Sequence, residues 1–269
     1  MQVGARVAIP LTILGLWALA AMAVPLLALD PGAIALERIL QRPGAGGWLG
    51  YDDLGRDIAS RLIMGAQTSF FVAVGVVSIS ALVGSLLGAS TAYAGGVADL
   101  VLVRVIDVFL AFPGILLAIA LAGVLGPGVE NVVIALSLVG WVGYARLARA
   151  QVLSLKHRDH VAAAIALGTD RFTIVTRHLL PLVAAPLIVE ATFGVAGVVI
   201  GEAGLSFLGL GVQPPEASWG SMIRDGTRYM LVAPHLVLAP GLALMLVVLA
   251  VNLLGDRLRD HLDVRSRQR

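Results

Sequence analysis

The sequence has no cysteine, a single lysine and little charge of either sign, with 13% of its 269 residues Asp, Glu, Lys or Arg. Without cysteine there is no disulfide, no thiolate metal site and no cysteine nucleophile. The one lysine, Lys156, lies in Ser154-Leu155-Lys156-His157-Arg158. A Walker A loop needs Gly-Lys-Ser/Thr, so the chain does not bind ATP in the P-loop manner. Ordinary soluble domains carry about a quarter charged residues. This chain carries far fewer, and 58% of it is apolar, which excludes a soluble globule. A net charge of +2 does not suggest a nucleic-acid partner. No His-Glu-x-x-His, no Gly-x-Ser-x-Gly and no converging set of carboxylates is present, so no catalytic constellation is legible.

What remains is long apolar runs separated by polar stretches. A membrane helix needs about 20 apolar residues. Six runs qualify: residues 7–29, 68–93, 100–125, 129–148, 182–201 and 236–254. The first follows a lone Arg6, and Ala21-Met22-Ala23 resembles a signal-peptide cleavage site. Its length exceeds the usual apolar core of about 7–15 residues, so it is read as a retained helix. Pro113-Gly114 breaks the third run, and Arg104 and Asp107 can pair on one helical face. Gly84 with Gly88, and Gly197 with Gly201, have the four-residue spacing that lets helices approach closely in lipid. Polar excursions at 30–66 and 202–235 separate the spans, the first with an expected short helix near residues 53–64. Phe207 and Trp219 are expected in an aromatic belt.

Residues 155–181 form a basic island with Lys156, Arg158, Arg171, Arg177 and three of the five histidines. Asp159 can cap a short helix starting at His160, Gly168 can end it in the left-handed conformation, and Thr169 can cap a second helix that is stopped or bent near Pro181. Val161, Ala164, Ile165 and Gly168 share one small apolar face. That face either lies on lipid or the chain itself, or docks into a groove on a partner. His157 and His160 are three apart, but with no third ligand in view they read as solvated helix-start residues. The island and the tail are rich in arginine, whereas the two excursions are balanced. The positive-inside tendency therefore puts the island and both termini in the cytoplasm. Glu190, near the middle of the fifth run, is costly there. It either lines a water-filled path and meets a cationic group, or is protonated or paired within the bundle.

Several stretches resemble the bacterial ABC-importer permeases of the dipeptide, oligopeptide and nickel family, second permease subunit. Ala163, Ala164, Ala166 and Gly168, followed ten residues on by His178-Leu179-Leu180-Pro181, resemble its coupling loop. Leu49-Gly50-Tyr51-Asp52-Asp53-Leu54-Gly55-Arg56-Asp57, Leu205 through Pro215 and the Asn252 to Asp260 stretch resemble further motifs. The resemblance spans residues 48–263. It departs at Ala162 and Ile165, where the family usually has glutamate and arginine; the docking surface stays in place without those two charges to pair with the partner.

The resemblance implies an all-α integral membrane fold of the type I importer permease, six transmembrane helices with a cytoplasmic coupling helix, in a bacterial inner membrane. It implies a second homologous permease subunit, two ATPase subunits that carry ATP and magnesium, and an extracytoplasmic substrate-binding protein, with lipid around the bundle. This chain then binds no cofactor or metal. Coupling falls to Asp159, His160, Val161, Ala163, Ala164, Ile165, Gly168, Thr169, His178 and Pro181. Glu190 and Glu202 are candidates for the path or its gate. Asp53, Arg56, Asp57, Trp219 and Arg224 are candidates for docking the binding protein, and removal of residues 218–229 is expected to abolish delivery while leaving insertion intact. Peptides, glutathione, nickel chelates and haem are all compatible substrates. A secondary transporter is the competing class, but it needs ion-coupling groups in the membrane, and only Glu190 is clearly mid-span. An intramembrane enzyme would need a nucleophile or metal ligands in spans that hold no histidine.

Overall fold

The computed structural model describes residues 2–27, 29–44 and 46–262, with side chains from residue 7. The side chain of Arg6 and the tail charges Asp263, Arg265, Arg267 and Arg269 lie outside the described residues. Everything described is helix or connection. The helices are α1 (Gln2–Ala23), α2 (Ile58–Ala94), α3 (Gly96–Leu110), α4 (Gly114–Leu125), α5 (Val129–Leu155), α6 (Asp159–Ala166), α7 (Arg171–Thr173), α8 (Leu180–Phe207), α9 (Trp219–Thr227) and α10 (His235–Leu262). Among the described residues, α2, α5, α8 with its preceding turns, and α10 are long and apolar enough to cross a membrane alone. The bent pair α3–α4 makes a fifth unit, and the apolar stretch Val7–Ala23 of α1 a shorter sixth.

Helix ends depart from the apolar runs for local reasons. α2 starts ten residues before the run at 68, so the separate short helix expected near 53–64 is instead its first turns. Asp57 sets that start: its Oδ2 accepts from the Ser60 N–H at 2.8 Å and from the Ser60 hydroxyl at 2.7 Å, satisfying an orphan donor of the first turn. α1 ends at Ala23, short of residue 29. The third run does break at Pro113-Gly114, but by 86°. Its arms of 15 and 12 residues are about 22 and 18 Å long at 1.5 Å per residue, and neither alone reaches across a core of about 30 Å. Pro181 neither stops nor sharply bends its helix, because a continuous helix runs Arg171–Phe207. Residues Ile174–Leu179 take the wider π form just before the proline. A proline removes one backbone donor and crowds the carbonyl four residues back, and a π turn relieves both effects.

Two of the four noted glycines explain the close contact of α2 with α5. A β-carbon built at Gly84 or Gly88 would overlap the carbonyl oxygens of Trp141 and Ala145, so α2 and α5 touch backbone to backbone. Gly201 has the Leu136 side chain 3.1 Å from such a carbon, whereas Gly197 has nothing within 4 Å. A side chain at Gly197 would therefore enter open space. α1 is fastened to α2 by Trp17, whose Nε1 donates to the Ala66 carbonyl at 3.1 Å. At the end of the bundle bearing α6, Arg149 of α5 donates to both oxygens of Asp99 on α3, at 2.6 and 2.8 Å. Lys156 Nζ donates to the Ala92 carbonyl at 3.0 Å, placing a cation at the C-terminal end of α2, where the helix dipole favours it. Arg104 and Asp107 lie 3.8 Å apart with both side chains exposed, so their pairing contributes little.

Candidate functional site

The basic island folds as α6, a turn, α7 and the π segment. Both proposed caps sit one residue from where they were expected. Arg158 is the N-cap residue of α6 and makes no side-chain cap, while Asp159 is the first helical residue. Asp170, not Thr169, caps α7 by accepting from the Thr173 N–H at 3.0 Å, and these contacts with Thr173 hold its carboxyl below the usual range. Gly168 does take the left-handed conformation, with φ +79°. The Thr169 N–H reaches the Ala164 carbonyl and the Gly168 N–H the Ile165 carbonyl, both at 3.0 Å, closing α6 with a Schellman motif.

α6 is two-sided, but not as the sequence suggested. Val161 and Ala164 are buried among Val152, Leu155, Ile174, Val175, Leu179 and Val183, so that half of the expected docking face is spent on the chain's own core. Burying Val161 fully contributes about 1.5–3 kcal/mol. The free face carries Ala162, Ala163, Ile165 and Ala166 and continues to Leu167 and Phe172 beyond the helix. Leu167 is 86% exposed and Phe172 74%. His157, His160 and Pro181 are exposed, and His178 and Thr169 are half-buried. α6 thus presents an apolar tip on a firmly seated base, and the base is the π segment that leads straight into α8.

Three cavities lie in line through the bundle. The one farthest from α6, of about 690 Å³, is lined by Gln67, Thr68, Val129, Glu130, Val133 and Glu216, among others. The middle one, of about 280 Å³, holds Ser80, Leu136, Gly140, Tyr144, Glu190 and Gly194. The one nearest α6, of about 590 Å³, holds Leu147, Gln151, Pro186, Glu190 and Arg259. On α5 these positions are 129, 133, 136, 140, 144, 147 and 151, one helical face at steps of three and four. On α8 they are 186, 190, 194, 197 and 201. A seam between α5 and α8 therefore opens into the middle cavity and the one nearest α6, and the same face of α5 continues against α2 in the outer one. Glu190 borders two of them, its carboxylate is exposed, and among the described residues no ion pair includes it. The reading that pairs Glu190 within the bundle is thus not what the chain does.

Glu202 is different. It is 1% exposed and accepts from the Ser69 hydroxyl at 3.0 Å and the Ser206 hydroxyl at 2.7 Å. It lines none of the three cavities, and its bond to Ser69 ties α8 to α2. The expected docking residues divide in the same way. Arg56 is buried and pairs with Asp52 at 2.6 Å. Asp57 is the helix cap described above. Trp219 is buried, with Nε1 donating to the Leu62 carbonyl at 3.1 Å, so it belongs to the core and not to an interfacial belt. Asp53 and Arg224 remain partly open; Arg224 Nε donates to Asp225 at 3.0 Å, and burial beside Asp52 pushes the Asp53 carboxyl up. Because α9 packs Trp219, Gly220 and Met222 into the core, removing residues 218–229 would open the fold and would not act on delivery alone. Sequence reasoning missed the exposed Trp48 and Leu231 in the two excursions, 91% and 99% open. An apolar residue in a loop carries no signal of its exposure.

A multi-pass helical bundle with an internal seam and a short protruding helix between two spans defines a membrane permease. Residues 84–268 match the family described as binding-protein-dependent transport system inner membrane component, and the chain belongs to that family. It is 42% identical over 227 residues to the glutathione transport system permease protein GsiD of Pectobacterium atrosepticum, covering 84% of this chain and 75% of the relative. It is likewise 42% identical over 228 residues to the dipeptide transport system permease protein DppC of Alkalihalophilus pseudofirmus, covering 85% and 75%. A chain of the solved MetNI methionine ABC transporter, in inward-facing conformations, superposes with a TM-score of 0.55 at 19% identity, over 76% of this chain and 95% of that one. That likeness concerns the fold. The chain is a permease subunit of an ABC importer, set in the inner membrane.

Proposed function

We propose that this chain forms half of the membrane path of an ATP-driven importer of small peptides, with α6 and both termini in the cytoplasm. Two ATPase subunits dock on the apolar tip of α6, bind ATP and magnesium, and carry all of the hydrolysis; this chain carries no catalytic residue. Their closure moves α6, and the π segment passes that motion into α8 and the seam. A second homologous permease supplies the other wall. A substrate-binding protein delivers at the opposite end, over a surface that includes Asp53, Arg224, Trp48 and Leu231. The observation that carries this reading is the join between the tip and the seam: α6 rests on the residues that begin the continuous Arg171–Phe207 helix, and that helix walls the cavities. The substrate class is supported by relatives named for glutathione and dipeptide transport.

Reconstitution in vesicles tests it. The chain with its second permease, ATPases and binding protein is expected to accumulate a dipeptide or glutathione only when ATP and every partner are present. Accumulation without the ATPases would overturn the reading.

A further inference from the structure

Among the described residues that line the three cavities, Arg259 is the sole cation. Its place follows from how α8 and α10 pack. α8 leaves the α6 end of the bundle and α10 returns to it. A β-carbon at the buried Gly255 of α10 would meet the Phe193 ring of α8 at 2.8 Å, so the ring lies on the glycine and sets the register of the two helices. Toward α6 from that contact, Glu190 is three residues along α8 and Arg259 four residues along α10. Each is about one turn on, and both border the cavity of about 590 Å³ nearest α6. Gln151 enters the same space from α5.

Both groups are within a solute's reach: Arg259 is exposed and Gln151 half-buried. Their charged neighbours face elsewhere. Asp256 and Asp260 flank Arg259 on α10, and Arg146 lies near Gln151 on α5, yet none of the three lines the cavity. Leu147, Pro186, Val189 and Phe193 make the walls apolar, and the volume falls within the range of about 300–1,000 Å³ for small-molecule sites. Glu190 also borders the middle cavity, whereas Arg259 and Gln151 border only this one. The space therefore has a carboxylate where it joins the middle cavity, and a guanidinium with a carboxamide away from that join.

We infer that Arg259 and Gln151 form a subsite for a carboxylate, the free carboxyl terminus of the peptide being moved. A guanidinium presents its donors as a planar fork that matches the two oxygens of a carboxylate, and the glutamine amide adds two more donors. Nothing earlier on the way offers a carboxylate such a partner. The outer cavity carries Glu130 and Glu216 and the middle one Glu190, with no cation among the described lining residues of either. A carboxylate is therefore repelled until it reaches Arg259. Two residues span at most about 7 Å, short enough for a dipeptide to lie within this one cavity. Its carboxyl end then points toward α6, and the peptide leaves that end first. This inference rests on the peptide-import reading above.

The test uses the assembled transporter without ATP and a single thiol in this chain, which has none of its own. Leu147→Cys and, separately, Ala185→Cys place that thiol in the cavity wall on α5 and on α8. Maleimide labelling of this chain is slowed by a bound solute, and the probes are L-alanyl-L-alanine and its C-terminal amide. Dialanine is expected to half-protect at a concentration at least about tenfold lower than the amide, the worth of a charged hydrogen bond. Arg259→Gln should bring the two probes within about twofold of each other, since the carboxylate then has no charged partner. Arg259→Lys should keep part of the difference, having the charge without the fork. Gln151→Leu should weaken protection by dialanine about 2–10-fold. Equal protection by both probes in the presence of Arg259, or an Arg259→Gln loss shared equally by both, would overturn the subsite. So would a thiol that no maleimide reaches at either position. Accumulation of dialanine in vesicles, with no protection of either thiol, would overturn the subsite while leaving peptide import standing. No accumulation of dialanine would overturn the import of dipeptides, and the subsite with it.

Discussion

Arg149 of α5 grips Asp99 of α3 through two parallel bonds, Nε to Oδ1 at 2.6 Å and Nη2 to Oδ2 at 2.8 Å. The pair ties the bent α3–α4 arm to the helix that leads into α6. A bidentate guanidinium is geometry-specific, so lysine is not an equivalent. A double-mutant cycle of Arg149→Met and Asp99→Asn, read from thermal unfolding in detergent, is expected to show a coupling of about 1–2 kcal/mol, discounted for partial exposure. Additive losses would mean that the bonds do not hold the arm.

Close approach of α2 and α5 depends on Gly84 and Gly88. Gly88→Leu should prevent that packing, costing about 1–3 kcal/mol or more by overpacking, and should lower the yield of folded protein. Gly197→Ala meets nothing in this chain and should leave the isolated subunit unchanged. Because Gly197 lines the middle cavity, only a loss of assembly with the second permease, read by co-purification, would place the partner against it; a loss of transport with assembly intact would mean that the added methyl narrows the path.

Glu202 tests the difference between a gate and a tie. Glu202→Leu would leave the Ser69 and Ser206 hydroxyls without their acceptor and should cost about 1–3 kcal/mol per stranded group, seen as a drop in Tm. A variant with normal Tm and altered substrate choice would reverse that assignment.

The raised Asp53 carboxyl gives a pH signature. Its ionised form is disfavoured in the folded state by burial and by Asp52. The penalty is full above the folded value, fades as pH falls through it, and is gone below the ordinary carboxylate value, where folded and unfolded chains are both protonated. Asp53→Asn should therefore raise Tm at neutral pH and have no such benefit in acid. A benefit that persists in acid would point to packing.

The apolar runs and the Pro113-Gly114 break were legible because lipid imposes length and satisfied backbone bonds. Gly168 was legible because only one residue near that turn tolerates a positive φ cheaply. The caps slipped by one because Arg158-Asp159 and Thr169-Asp170 each put a capping residue beside the true cap position. The free face of α6 was not legible: alanine at 162, 163, 164 and 166 makes every side small and apolar, and only the packing of Val161 decides which side is inward. Nor was the seam, since polar residues fall on it (Tyr144, Gln151, Glu190) and off it (Arg149, Glu202) alike, and small apolar residues fill the rest of both helices. Arg56 and Trp219 read as surface groups because a charge or an indole in a polar loop gives no sign of burial, which here comes from Asp52 and the Leu62 carbonyl.

The absence of cysteine makes one measurement unusually clean. Leu167→Cys would place the chain's only thiol at the exposed tip beyond α6. In inside-out vesicles a membrane-impermeant maleimide is expected to label it, addition of the ATPase subunits is expected to protect it, and right-side-out vesicles should show no labelling. Labelling from the outside, or labelling undiminished by bound ATPases, would contradict the assignment of this tip as the point where force enters the membrane.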